Sequence, residues 1–368
     1  MFSYNEFITK GLITYLWNKR KLLDFIEYEI KEIINNDKSI DKNNVIIMDW
    51  FAWSWVVSRM LKKYAKKLYV NDYEKYSYVV NSCYLKDRTP ELQKEIKYYI
   101  DLVNSKKLNW NGWFITEKYA PKDDNNIQPW ERVFYTNQNA KIIDNIRNLI
   151  DDIVPEHLKV YILGELIHKA SIHNNTSWVF KWFHKKNWIW HFWWAWENAL
   201  TRIKGEIILW YPVYYNTWTE VIVMQGDTNE KVKEIWEIVD IVYLDPPYNQ
   251  HPYWSNYHIL NTIIDKKAEI QEEWVSWITK NWYKSEWNKK IEAENILDYL
   301  LQNIKAKYIL FSYNNEWIIP IKNLKEILEK YWKVKLVEKK YNAYRWSRNL
   351  KNRDTHVKEL LWILKKSI

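Results

Sequence analysis

Glycine is nearly missing from this chain, and that sets the hardest limit on how it can fold. The 368 residues hold 5 Gly and 26 Trp, whereas about 7% Gly, roughly 26 residues, is ordinary at this length. A long chain needs turns with positive φ and places where backbone packs on backbone, and glycine meets both without strain. Together the two counts come close to ordinary glycine usage plus a few tryptophans. Position agrees with number. Trp53, Ser54 and Trp55 fall between a strand-like run, Val45 to Asp49, and a helix-like run, Val56 to Lys67, where a tight turn belongs. Many of these tryptophans therefore read as UGA codons written as Trp in a gene whose host decodes UGA as Gly. The abundant Lys, Asn, Ile and Tyr fit an AT-rich gene. The rival reading is a genuine Trp-rich surface that stacks bases or sugars. Stacking or buried indoles belong on strand and helix faces, yet many here cluster, as in Trp193-Trp194-Ala195-Trp196.

The length allows one large core or two domains. The sequence has no twenty-residue apolar run and no N-terminal signal pattern, so it reads as cytoplasmic, with no membrane partner. A single cysteine, Cys83, excludes an internal disulfide framework and a Cys-rich zinc site. The net charge of +9 favours a polyanionic partner, against the plainer alternative of a Lys-rich solvated surface. The charge is concentrated: Tyr331 to Lys366 carries 11 Lys and Arg against 3 acids, and His157 to Gly205 carries 7 against 2. Both stretches suit a phosphate-gripping face.

Strand-type and helix-type runs alternate at both ends. Val45 to Phe51, Leu68 to Val70, Val221 to Gln225, Ile238 to Leu244, Tyr308 to Ser312, Val334 to Val337 and Leu360 to Leu364 read as strands. Helical spacing covers Val56 to Lys67, Glu74 to Leu85, Ile291 to Ile304 and Leu324 to Tyr331. That alternation predicts an α/β fold with a doubly wound, mostly parallel sheet. Between about residues 86 and 215 the rhythm gives way to helical stretches and a polar loop, which predicts an inserted, largely helical or irregular domain. The expected division is 1–85 and 216–368 for the catalytic domain and 86–215 for the insert.

The strongest chemical signal is Asp245-Pro246-Pro247-Tyr248, which follows the apolar run Ile241 to Leu244. Two prolines cannot continue a central strand, so this is a loop leaving a strand's carboxyl end, where open α/β sheets place their sites. Asp245 and the Pro246 carbonyl can accept both N–H bonds of an amino group on a planar ring, while Tyr248 stacks on that ring. The plain alternative is a Pro-rich turn with a capping Asp.

Here the chain resembles the D12-class N6-adenine DNA methyltransferases, in which this motif is catalytic. The resemblance extends over nearly the whole chain, and the stretch from Asp245 to Tyr257 looks like the family's extended segment with Gly at 254. With Gly restored at 53 and 55, the run Asp49, Phe51, Ala52, Trp53, Ser54, Trp55 looks like the family's S-adenosyl-L-methionine loop, whose backbone lies against the cofactor. Tyr15, Trp17 and Lys19 look like the N-terminal cofactor motif with Gly at 17. The resemblance implies that Lys19 meets the cofactor carboxylate, although a plain surface charge is the alternative, and that Asp72 binds ribose hydroxyls unless it only caps the next helix. Asp227 is a further candidate for the cofactor's adenine end, balanced against an ordinary turn Asp. The motif order marks the alpha group, whose target-recognition domain is the insert.

For contact with double-stranded DNA the residues nominated are His173, Asn174, Asn175, Lys181, Arg202 and Lys204 in the insert, with Arg345 and Arg348 near the C-terminus. His173, His184 and His191 fit no standard metal spacing, and no metal is expected. A monomer is expected, with a cognate restriction endonuclease as a candidate partner. The expected reaction is methyl transfer to adenine N6. Alternatives are another amino group, on cytosine N4, RNA or protein, or an inactive DNA-binding protein if the indoles are real. Of the other tryptophans, Trp178, Trp182, Trp188, Trp190, Trp193, Trp194 and Trp196 read as a flexible Gly-rich segment, and Trp362 as a true core residue.

Overall fold

The computed structural model describes residues 2–11, 13, 19–53, 55–108, 113–176, 180, 184–192, 197–247, 253–266, 269–271, 277–280, 285–314, 318–342 and 356–366. Its centre is a seven-stranded sheet: β1 Ile46–Asp49, β2 Lys67–Asp72, β3 Glu220–Gln225, β4 Val239–Leu244, β5 Ala306–Asn314, β6 Trp332–Asn342 and β7 His356–Lys366. Their spatial order is β6-β7-β5-β4-β1-β2-β3. Strands β1 to β5 pair in parallel, and β7 runs antiparallel to both β5 and β6. The strand order reverses between β1 and β4, the point at which such sheets leave a crevice beyond the strand ends. The protein has a doubly wound, mostly parallel, Rossmann-like sheet.

All six residues of β4 are buried, as expected of a parallel strand covered on both faces. Because side chains alternate, Val242 and Leu244 join Ile309, Phe311, Trp362 and Leu364 in one apolar layer. Leu297, Leu300 and Leu301 of helix Lys290–Asn303, with Leu324 and Leu328 of helix Ile321–Glu329, complete that layer. Helix Leu23–Asn36 buries Leu23, Ile26, Ile30, Ile33 and Ile34, a single helical stripe. Trp362 sits in the core at 3% exposure, as the sequence predicts.

All seven expected strands form, but the last two run to eleven residues each. Their Lys and Glu positions masked the flanks, which the sheet ladder and a Glu338–Lys358 ion pair at 3.1 Å hold in place. The helix expected over Val56 to Lys67 stops at Leu61. Thr219 Oγ1 donates to the carbonyls of Lys62 and Ala65 at 3.0 and 2.8 Å, so the chain turns there and enters β2.

The chain divides into two compact units. One comprises Asn18–Glu74, Thr217–Pro252 and Lys284–Ile368, and contains the sheet; the other comprises Met1–Trp17, Lys75–Asn216 and Tyr253–Tyr283. The expected insert, 86–215, falls within the second unit, which also takes helix Lys75–Leu85 and helix Tyr253–Asp265. That unit is mainly helical, with Pro90–Lys106, Asn137–Ile153 and Glu156–Ile172 as its long helices. Where helix Lys75–Leu85 meets helix Glu156–Ile172, a Cβ on Gly164 would lie 2.5 Å from that of Cys83. Among the described residues no helix is long and apolar enough to cross a membrane.

Candidate active site

Four aspartates stand at the carboxyl edge of the sheet: Asp49 ends β1, Asp72 ends β2, Asp227 follows β3, and Asp245 follows β4. The register sets Asp49 opposite Tyr243, two residues before Asp245, and the Trp50 N–H donates to the Tyr243 carbonyl at 3.2 Å. Asp49 and Asp245 thus flank the switch point. Because β7 runs the other way, its first half also reaches this edge, with Glu359 opposite Asn314 and Leu361 opposite Ser312.

Lys19 is buried at 3% exposure and links these strands. Its Nζ lies 2.7 Å from Glu359 Oε1, 2.8 Å from Ser312 Oγ and 3.3 Å from Asp245 Oδ1. Ser312 Oγ donates to Glu359 Oε1 at 2.5 Å. Asp245 Oδ1 is buried and makes no hydrogen bond within the protein, so its relation to Lys19 is a charge pair without hydrogen-bond alignment. Burial pushes the Asp245 carboxyl up to about 6, with Lys19 opposing and Glu359 reinforcing the shift. Burial likewise pushes Asp49 up to about 7, opposed by the Ser58 hydroxyl bonded to its Oδ2 at 2.5 Å and reinforced by Asp245 and Asp72.

The loop after β1 carries its indoles inward. Trp53 and Trp55 are 4% and 1% exposed, and the Trp53 indole donates to the Asp245 carboxylate. Trp55 has φ +39°, a left-handed backbone that costs a non-glycine residue about 1–2 kcal/mol. Among the described residues six non-glycines have positive φ, and four of them are Trp: 55, 188, 218 and 277. Asn187 and Trp188 (φ +51° and +67°) form the two-residue turn between strands His184–Lys186 and Ile189–His191. A hairpin with positive φ at both turn positions is the setting for Asn-Gly. Trp190 differs from the Gly-rich expectation: it is fully buried, with its ring centroid 5.0 Å from that of Phe134. An indole fits there because three-dimensional packing supplies an aromatic pocket that local sequence does not announce.

Of the other predicted cofactor residues, Phe51 is half-buried and meets Trp287 edge-on at 5.4 Å, and the Ala52 N–H donates to the Asn71 carbonyl at 3.0 Å. Asp72 accepts from the Glu74 N–H at 2.8 Å. Asp227 caps helix Thr228–Lys231, accepting from the Asn229 N–H at 2.8 Å, which is the turn role weighed against cofactor binding. Pro246 is buried and Pro247 half-buried. Tyr15, Trp17, Ser54, Lys181, Tyr248, Arg345 and Arg348 lie outside the described residues.

In the insert, four of the residues expected to contact DNA are engaged in hydrogen bonds within the protein. Asn174 accepts from the N–H and hydroxyl of Thr176 at 2.9 and 2.7 Å, and Asn175 donates to the carbonyls of Val133 and His191 at 2.8 and 3.0 Å. Arg202 donates to the carbonyls of Ile172 and Asn174, and His173 Nδ1 bonds to the Arg202 carbonyl at 2.8 Å. These four side chains hold their own loop together, since buried polar groups must be satisfied internally. Lys204 is exposed. Sequence reasoning missed Ser312 and Glu359; the only local signal was an acid directly preceding the apolar run Leu360 to Leu364.

Comparison with known proteins agrees with this geometry. The chain is 27% identical to the type II methyltransferase M.NlaIII of Neisseria lactamica, over 96% of this chain and 100% of that protein. It is 27% identical to the type II methyltransferase M.CviAII of Paramecium bursaria Chlorella virus 1, over 90% and 93%. It is also 28% identical to the modification methylase StsI of Streptococcus sanguinis, spanning 96% of this chain but about half (52%) of that longer protein. A model of the D12 class matches residues 15–327. Matched over most of its length, this chain belongs to the D12 class of N6 adenine-specific DNA methyltransferases.

Proposed function

We propose that the methyl donor is S-adenosyl-L-methionine, bound along the carboxyl edge between Asp49 and Asp72, and that the target adenine is turned out of double-stranded DNA to meet Asp245. The observation that carries this is Asp245 itself: buried at the switch point, with an acceptor oxygen that no protein group bonds. Asp245 and the Pro246 carbonyl accept the two N–H bonds of the amino group, and Tyr248 stacks on the base. The nitrogen lone pair is thereby kept available, and the donor, when bound, would supply the methyl group from its sulfonium. Positioning and electrostatics supply the rate. Recognition of the target sequence falls to the helical unit, with Lys204 on phosphate. The enzyme acts as a cytoplasmic monomer, and its cellular partner is a cognate restriction endonuclease, the one part of this reading that the named modification methylases support.

As written, the residues do not fit the donor, because the Trp53 and Trp55 indoles fill the loop after β1 against which the donor would lie, and the Trp53 indole also bonds the Asp245 carboxylate. The working enzyme on this reading carries Gly at 53 and 55, which opens the loop and relieves the left-handed backbone at 55. The test compares the written chain with W53G/W55G for donor binding by calorimetry and for methyl transfer to duplex DNA. The glycine form binds and transfers, the written form does neither, and Asp245→Ala in the glycine form abolishes transfer while sparing DNA binding. Equal donor binding by both forms would sink the glycine reading, and undiminished methylation by the Asp245→Ala variant would sink the site assignment.

A further inference from the structure

We infer that Glu359, with Ser312, is a positioning residue that draws the Lys19 ammonium aside, leaving the Asp245 acceptor oxygen open to the substrate amino group while the cation stays close enough to keep Asp245 ionised. The inference rests on the reading of Asp245 as the acceptor and adds the device that keeps it available.

The geometry carries the argument. One buried cation faces two buried carboxylates, and the nearer partner is not the one in the catalytic loop: Lys19 Nζ is 2.7 Å from Glu359 and 3.3 Å from Asp245. Ser312 reinforces the preference, since it accepts from Lys19 at 2.8 Å and donates to Glu359 at 2.5 Å. A fully engaged Lys19–Asp245 bond would occupy the oxygen that a substrate N–H needs. No cation at all would leave a buried carboxyl to take up a proton and turn from acceptor to donor. The observed offset avoids both outcomes. It comes from topology: β7 is reversed, so an acid at its start reaches the same edge as the loop after β4.

The groups facing Asp245 are Lys19 from the turn before helix Leu23–Asn36, Glu359 from β7 and Tyr243 from β4 itself. Asp49 from β1 lies close enough for its charge to be felt, and Asp72 from β2 acts in turn on Asp49. Of these, Lys19 favours the ionised carboxylate and Glu359 opposes it. Removing the charge of Glu359 therefore lowers the pH at which Asp245 ionises and lets Lys19 close onto it.

The test is the pH profile of kcat/KM and the plateau of kcat for E359Q against its parent, in whichever of the written and glycine forms transfers methyl, with Asp245→Asn in parallel. Glutamine keeps the size and removes the charge. The expected result is an acid limb displaced downward by about one pH unit, as befits the loss of a like charge a few ångströms away, together with a lower kcat plateau and an unchanged KM for DNA. A merely structural role would lower activity without moving the limb, so an unmoved limb overturns the inference. If E359Q does not fold, S312A takes its place, with a smaller displacement in the same direction expected and no displacement overturning it. Retained activity in Asp245→Asn, or inactivity of both parent forms, refutes the acceptor reading and this inference with it. An inactive Asp245→Asn beside an unmoved limb in E359Q refutes this inference alone.

Discussion

Asp49 ought to make the free protein less stable as pH rises, and replacing it with asparagine ought to recover that loss. The carboxyl is 1% exposed, and its Oδ1 makes no hydrogen bond within the protein. Burial raises its pKa from 3.8 to about 7. A raised folded pKa means that the neutral form is favoured in the fold: stability is complete below about pH 4 and is lost as pH climbs through about 7. Three units at about 1.4 kcal/mol each give an upper figure of about 4 kcal/mol. The asparagine amide keeps an oxygen to accept from Ser58, so that bond survives the substitution. Urea unfolding of the chain as written and of D49N, followed by fluorescence at pH 4 and pH 8, checks the difference. D49N should match the parent within about 1 kcal/mol at pH 4 and exceed it by about 2–4 kcal/mol at pH 8. An equal advantage at both pH values, or none at pH 8, would show that the carboxyl is not held against its ionised form.

Two further substitutions probe the backbone. W188G relieves a left-handed non-glycine residue that is 85% exposed, so it should stabilise the hairpin by about 1–2 kcal/mol, read as slower hydrogen exchange of amides 184–191; faster exchange would mean that the indole contributes there. G164A should destabilise the helical unit by about 1–3 kcal/mol, because the new methyl would fall 2.5 Å from Cys83 Cβ and 2.8 Å from its sulfur; an unchanged urea midpoint would refute so close a crossing.

Much of the sheet and the position of the loop after β4 could be read from the sequence because their signals are local. Buried parallel strands are continuous apolar runs, and two prolines after one of them mark its end. The charge network was not legible in the same way. Lys19, Ser312 and Glu359 are brought together by a strand reversal at the far end of the chain, and nothing in the spacing of those three residues encodes it. The DNA-contact expectations meet a related limit. Asn174, Asn175 and Arg202 look like base readers by residue type, but a loop needs its own carbonyls and N–H groups satisfied before anything is left for a ligand. Residue type states what a side chain can bond; only the fold decides whether the bond is already taken.

The same distinction sorts the tryptophans. If the indoles were native everywhere, they should favour positions where a large ring has something to pack against. Trp190 and Trp362 do so, as do Trp50, Trp287 and Trp332 in the apolar layer of the sheet. Positive φ, by contrast, carries no benefit for an indole and penalises any Cβ. Yet among the described residues four of the six non-glycines found there are tryptophan, a residue type that makes up 26 of the chain's 368 positions. Asn187, one of the remaining two, belongs to the residue types that tolerate this region. Trp188 and Trp218 add to this that they are 85% and 82% exposed, so burial does not offset the strain. Backbone and solvent therefore agree, independently of any motif, on individual sites that suit glycine better than an indole. Trp55 is the one among them that lies in the loop beside Asp245, and there the substitution bears on the chemistry as well as the fold.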